Sequence, residues 1–150
     1  MSKQQRLEDI QQAIRKKYAE VSHSSKGIFS YPTGEKGANL LGYNLSQFTR
    51  LPNELLESFC GVGNPFSLGP IEKEDSILDI GCGAGFDLFV ASTKVGENGK
   101  VCGIDLTPEM VTKATKNLQL ASCQVEVQVG SSEEIPFDRD TFDRLTPAHL

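Results

Sequence analysis

The stretch Ser76-Ile77-Leu78-Asp79-Ile80-Gly81-Cys82-Gly83-Ala84-Gly85-Phe86-Asp87 decides how the chain is read. Its first five residues make a short apolar strand that runs straight into a turn with glycine at the first, third and fifth positions. A helix over residues 86–94 follows, ended by Gly96 and Gly99. Outward from there, Val101-Cys102-Gly103-Ile104-Asp105 is a second strand that meets Thr107-Pro108, an N-cap and first-turn pair. Val111, Ala114 and Leu118 supply the next helix with a buried stripe. Val125-Glu126-Val127-Gln128-Val129 alternates apolar and polar, the pattern of a strand with one covered face. Strand, helix, strand, helix, strand predicts a parallel sheet with right-handed crossovers, an α/β fold.

The glycine turn leads from a strand into a helix N-terminus, where missing Cβ atoms and unpaired N–H groups let a nucleotide-like ligand approach the backbone. A dinucleotide fingerprint has glycines at positions one, three and six, whereas here Gly81, Gly83 and Gly85 occupy one, three and five, and bulky Phe86 stands sixth. NAD is therefore the weaker reading. Asp79 just before the turn repels a pyrophosphate and suits a positively charged amino-acid ligand. Asp105, twenty residues beyond Gly85, is placed for ribose hydroxyls. The following loop, Gly130-Ser131-Ser132-Glu133-Glu134-Ile135-Pro136-Phe137, offers small and polar residues at the carboxyl edge of the sheet, where an adenine fits against Leu106 or Met110.

Before this unit, Leu7, Ile10, Ile14, Tyr18 and Val21 recur at helical spacing, so residues 3–20 read as an amphipathic helix. Residues 22–42 are rich in Ser, Gly, Pro and Lys and read as a long ordered loop or lid. A short helix starts near Pro52 and runs through Leu55, Leu56 and Phe59, and Gly61-Val62-Gly63-Asn64-Pro65 forms a tight turn. The expected division is a helical N-terminal extension with lid-like loops over residues 1–70, then a ligand-binding unit over residues 71–150.

Composition narrows the functional classes. The 150 residues are 38% hydrophobic and 23% charged, which fits one globular domain. A net charge of -5 disfavours nucleic-acid and anionic-membrane partners. No apolar run approaches the roughly 18 residues that a membrane span needs, and a cytoplasmic location is expected. Four cysteines, Cys60, Cys82, Cys102 and Cys123, lack the close spacing of a metal site, so no metal is expected and free, non-catalytic thiols are the default. His23 lies in a polar loop and His149 in the tail, leaving no convincing general base.

In this order and spacing, the glycine turn, Asp105 and the serine loop resemble the S-adenosylmethionine site of class I methyltransferases, over residues 76–143. The wider text, from Phe29-Ser30-Tyr31-Pro32-Thr33-Gly34 through Phe59-Cys60-Gly61-Val62-Gly63-Asn64-Pro65 to Phe86-Asp87, is similar to the arsenite methyltransferase-related group. The resemblance implies a Rossmann-like fold and S-adenosylmethionine as cofactor. It implies Asp79, Gly81, Cys82, Gly83 and Gly85 at the methionine end, Asp105 at the ribose, and Ser131, Ser132 and Glu133 near adenine with Leu106 and Met110. The implied activity is methyl transfer to a small acceptor, with Tyr31, Cys60 and Asn64 as substrate-side candidates and Tyr31 with the 61–65 turn as a lid.

The sequence departs from that group at the thiols expected to hold trivalent arsenic. Val62 and Leu88 stand where cysteines are usual, and Cys60 lies two residues from the first of these. The family's strand order, 3-2-1-4-5-7-6, puts the first strand between the second and fourth. Phe142-Asp143-Arg144-Leu145 could begin the fourth, but Pro147 is expected to end it, leaving the first strand with an unpaired edge open to self-association. The sheet then represents the N-terminal half of the fold only. The alternative functions are a truncated, non-catalytic S-adenosylmethionine-binding fragment and, less favoured, an NAD-binding half-domain.

Overall fold

The computed structural model describes residues 2–24, 27–138 and 140–147. Four parallel strands, β1 (Ser76–Ile80), β2 (Lys100–Asp105), β3 (Glu126–Val129) and β4 (Arg144–Pro147), lie in the order β3-β2-β1-β4. Helices α4 (Phe86–Val95) and α5 (Pro108–Leu120) make the crossovers β1–β2 and β2–β3. The N-terminal part contributes α1 (Lys3–His23), α2 (Gly34–Leu40) and α3 (Asn53–Glu57), with short 3₁₀ turns at Leu45–Gln47 and Pro65–Leu68.

The central strands are the apolar ones. Ile77, Leu78 and Asp79 of β1 are buried, as are residues 101–105 of β2, whereas β3 at the sheet edge is only partly covered. On one face, Ile77 and Val101 pack with Phe86, Leu88 and Phe89 of α4, and Ala38, Tyr43, Leu55 and Phe59 from the N-terminal part join the same cluster. Phe86 is the junction, with Tyr43 and Phe59 packed edge-on at ring separations of 5.1 and 4.9 Å. On the other face, Leu78, Cys102 and Ile104 meet Phe137 and Phe142.

Three sequence expectations change. The first strand is not an edge, because β4 pairs with it in parallel from Ile77↔Arg144 to Ile80↔Pro147. Pro147 stands at the last register position, where its missing N–H costs a ladder bond rather than the pairing. The start of β4 is fastened instead by side chains. The Ser76 amide donates to the Asp143 carboxylate at 2.8 Å, and Arg144 pairs with Asp75 at 2.8 Å.

The second change lies in residues 22–42, expected to be loop throughout, where α2 forms and buries Ala38 completely. Gly37 there serves close approach rather than a turn, since a Cβ on it would sit 2.4 Å from the Pro32 carbonyl oxygen. Gly37→Ala is accordingly expected to destabilise the fold by about 1–3 kcal/mol through forced backbone movement, read as a lowered thermal midpoint. An unchanged midpoint would mean that the 32–37 turn opens freely.

The third change concerns the stripe of α1. Only Val21 is buried, while Ile10 and Ile14 are 49% and 38% exposed. The helix is secured by a capping box between Ser2 and Gln5 and by packing against α5.

Candidate functional site

The carboxyl ends of β1 and β2 meet at the glycine turn. Gly85 caps α4 with φ +98°, and a Cβ there would lie 3.3 Å from that of Ala114 on α5, so glycine allows both the turn and the close helix contact. The Asn117 amide ties α5 to the turn by donating to the Ala84 carbonyl at 3.0 Å.

The turn's own amides face inward. Those of Gly81 and Cys82 donate to the Ile104 carbonyl at 2.8 and 3.0 Å, and that of Gly85 to the Cys82 carbonyl at 3.1 Å. The Gly83 amide donates to Asp105 Oδ2 at 2.9 Å, and the Thr107 amide to Oδ1 at 2.9 Å. Asp105 is thereby locked at the end of β2. With these amides engaged, the turn makes a poor phosphate cradle, and its contribution is shape and the placement of carboxylates. Thr107 caps α5 through its backbone position alone. Its buried hydroxyl makes no cap bond and has no hydrogen-bond partner among the described residues.

Two cavities with shared lining residues open at the glycine turn. The larger, about 360 Å³, has Ile80, Gly81, Asp105 and Leu106 as its floor, residues 130–133 on one side, and Gln11, Ile14 and Tyr18 of α1 on the other. The smaller, about 30 Å³, lies between residues 58–61 and residues 81–84, with Phe86 and Asp87 at its base. Tyr18 and Gly81 line both, so the two lie side by side at the turn.

Of the residues singled out from the sequence, Gly81, Asp105, Leu106, Ser131, Ser132 and Glu133 line the larger chamber, and Cys60, Gly81, Cys82 and Gly83 line the smaller. Met110 is not a wall. It is 1% exposed and packs with Val21, Cys60 and Ala84. Gly85 and Asp79 are buried beneath the surface. Asn64 makes loop structure, its Nδ2 donating to the Leu41 carbonyl at 3.2 Å and its Oδ1 accepting from the Phe66 amide at 3.1 Å. Tyr31 reaches the site indirectly, donating its hydroxyl to the Cys60 carbonyl at 2.8 Å.

Sequence reasoning overlooked Asp87 and the α1 wall. Asp87 stands two residues after Gly85 but has no role assigned from the sequence, and Ile14 and Tyr18 read there only as part of the apolar face of an amphipathic helix. Of the α1 stripe, Ile14 and Tyr18 face the larger chamber.

Asp105 and Glu133 line the larger chamber and Asp87 the smaller, with Asp79 buried nearby. Asp79 is 1% exposed, and neither of its carboxylate oxygens has a hydrogen-bond partner among the described residues. Burial raises its pKa well above the ordinary carboxylate range, and Asp87 and Asp105 push it further. Thr146, its register partner on β4, opposes this shift, but its hydroxyl makes no hydrogen bond of good geometry to Asp79. Asp87 accepts a short hydrogen bond from the Tyr43 hydroxyl; burial raises its pKa and that bond holds it down.

Burial also pushes the Cys60 thiol up to about 11, with Asp105 adding and Lys113 opposing. Cys82 is likewise raised, by burial first and then by Asp79. Both are neutral thiols near pH 7. Among the described residues, no group of three or more His, Cys, Asp or Glu side chains is arranged to hold a metal ion.

A parallel sheet with a glycine turn after its first strand, a carboxylate closing its second and a crevice at the carboxyl ends of both defines a Rossmann-like fold of the kind that holds nucleosides. Residues 71–147 match the family described as a methyltransferase domain, and the chain belongs to that family, among the class I S-adenosylmethionine-dependent methyltransferases. It is 30% identical over 144 residues to an arsenite methyltransferase of Halobacterium salinarum, covering 86% of this chain and 37% of that protein. It is 38% identical over 79 residues to the chloroplastic 2-phytyl-1,4-beta-naphthoquinone methyltransferase of Arabidopsis thaliana, covering 50% of this chain and 30% of that one. The chain thus spans about a third of the length of these relatives.

Among solved structures, an arsenic(III) S-adenosylmethionine methyltransferase from Chlamydomonas reinhardtii superposes with a TM-score of 0.57 at 27% identity, over 65% of this chain and 35% of its own. A SAM-dependent methyltransferase from Aquifex aeolicus gives 0.51 at 35% identity, over 54% of this chain and 43% of its own. No described helix is long and apolar enough to cross a membrane.

The residues present fit S-adenosylmethionine. An uncompensated buried carboxylate beside a second one suits a cationic amino-acid end, and Asp105 beside the larger chamber suits a ribose.

Proposed function

We propose that this chain binds S-adenosylmethionine and serves methyl transfer to a small acceptor of the arsenite type. The observation that carries this reading is the adjacency of two chambers at the glycine turn, a nucleoside-sized one beside Asp105 and a smaller one lined by Asp87 and Cys60. The cofactor supplies an activated methyl on a sulfonium, which needs displacement rather than acid–base assistance. The work left to the protein is alignment and exclusion of water. Tyr18 spans both chambers from α1, and the Tyr31 hydroxyl holds the Cys60 backbone over the smaller one.

Among the described residues no histidine lines the two chambers, and the thiols there are neutral, which favours an acceptor that brings its own electron pair. Arsenite does so, and the similarity to proteins named as arsenic methyltransferases supports that class of acceptor. Val62 and Leu88 in place of the usual thiols favour a second reading, in which the chain binds the cofactor without turning it over.

Thermal melts with S-adenosylmethionine, S-adenosylhomocysteine and NADH test the binding step. Ligand at about 100 times its dissociation constant is expected to add about 2.7 kcal/mol for the first two and nothing for NADH. Stabilisation by NADH alone would overturn the cofactor assignment. Transfer of labelled methyl to arsenite in the presence of excess small thiol tests the chemistry, and binding without transfer establishes the second reading.

A further inference from the structure

We infer that Asp87, positioned by the Tyr43 hydroxyl, is the carboxylate that receives the cationic amino-acid end of the ligand, and that its engagement expels a proton from the Asp79–Asp87 pair. The inference rests on the cofactor reading above and assigns the polar end of the same site. Sequence position favours Asp79 for this contact, but Asp79 is shut beneath the crevice surface, whereas Asp87 lines the smaller chamber. Asp87 lies in the first turn of α4, where the helix dipole favours a negative charge. Tyr43 reaches it from the N-terminal part, packed against Phe86 and Phe59, so the donor is rigidly held.

The groups around the pair are all neutral or anionic. Asp105 faces it from β2, Cys82 from the glycine turn, Cys60 from the segment after α3 and Tyr43 from the N-terminal part, while Thr146 adds an uncharged hydroxyl from β4. Two adjacent buried carboxylates with no cation between them cannot both ionise readily, so the empty site retains a proton. An incoming ammonium supplies the missing positive charge and favours the fully ionised pair. The retained proton leaves to solvent, and no covalent bond changes. Affinity for an ammonium-bearing ligand therefore rises with pH through the titration of the empty pair. Tyr43 is a positioning residue, because its hydrogen bond favours the ionised form of Asp87.

The test compares S-adenosylhomocysteine, which carries the ammonium, with 5′-methylthioadenosine, which carries the same nucleoside without it. Titration calorimetry of the full chain in buffers of different ionisation enthalpy counts protons. S-adenosylhomocysteine is expected to release a fraction of a proton between pH 5 and 7, and methylthioadenosine none. Asp87→Asn is expected to weaken S-adenosylhomocysteine roughly tenfold or more, the worth of one charged hydrogen bond, and to leave methylthioadenosine unchanged. Tyr43→Phe is expected to move the rise in S-adenosylhomocysteine affinity to higher pH, a shift that mere loosening of the fold would not produce.

Equal proton release by the two ligands, or equal weakening of both by Asp87→Asn in a folded variant, overturns the inference and leaves the cofactor reading standing. Should Asp87→Asn not fold, the wild-type proton count and the Tyr43→Phe profile decide. Failure of the wild-type chain to bind either ligand overturns the cofactor reading itself.

Discussion

Replacing Asp105 by alanine is expected to abolish measurable S-adenosylhomocysteine binding. The carboxylate accepts the Gly83 amide on one oxygen and the Thr107 amide on the other, both at 2.9 Å, and each oxygen keeps a second lone pair for a ribose hydroxyl. Two charge-assisted hydrogen bonds to ligand, at about 1.5–3 kcal/mol each, amount to a hundredfold or larger loss of affinity. The substitution also releases the glycine turn from β2, and a lowered thermal midpoint without ligand is expected as well. Asp105→Asn separates the two effects. Its amide keeps the volume but can offer an acceptor to only one of the two backbone N–H groups, so the turn is loosened less while binding is still strongly weakened. Unchanged binding in a folded Asp105→Ala chain would remove Asp105 from the ribose role.

Asp79→Asn is expected to make the ligand-free fold more stable, by a margin that grows with pH. The folded-state pKa of Asp79 is raised well above its ordinary value, chiefly by burial and then by Asp87. Its unfolded value lies near 4, so in the wild-type chain its contribution to stability is fully present below that pH. The contribution is lost as pH rises toward and through the folded pKa, because ionising the group then favours the unfolded state. Asparagine has no such loss. Melts of the two proteins should nearly coincide in slope near pH 4 and diverge by pH 7, with the variant the higher, by several degrees for a shift of about 1–2 kcal/mol. Parallel curves across that range would show that Asp79 is already compensated. Expressed functionally, the carboxylate pair is a charge deficit that the fold retains at a cost to stability, as binding sites do when their charge is matched only by a ligand.

The sheet was legible in the sequence because its signals are local. Ile77 and Leu78 before a glycine turn, Val101-Cys102-Gly103-Ile104 before Asp105, and Pro108 opening a helix each report their state within a few residues, and the structure has β1, α4, β2 and α5 at those places. The fourth strand was not legible, since Pro147 argues locally against a strand while the ladder to β1 and the Asp143 and Arg144 tethers lie some seventy residues away in the chain. The same holds for α2, where glycine marks a close backbone approach that no local pattern announces.

By itself, the sequence determined the class of fold, the glycine turn and the positions of the carboxylates, because strand and helix periods and the φ freedom of glycine are encoded residue by residue. Only the tertiary structure decided which of those carboxylates meets the crevice, burying Asp79 away from it, locking Asp105 between two amides and setting the largely buried Asp87 in the lining of the smaller chamber under Tyr43. It likewise set Ile14 and Tyr18 of the α1 stripe in a chamber wall. Burial and charge pairing depend on what the distant N-terminal part places over the turn, and a one-dimensional pattern does not carry that information.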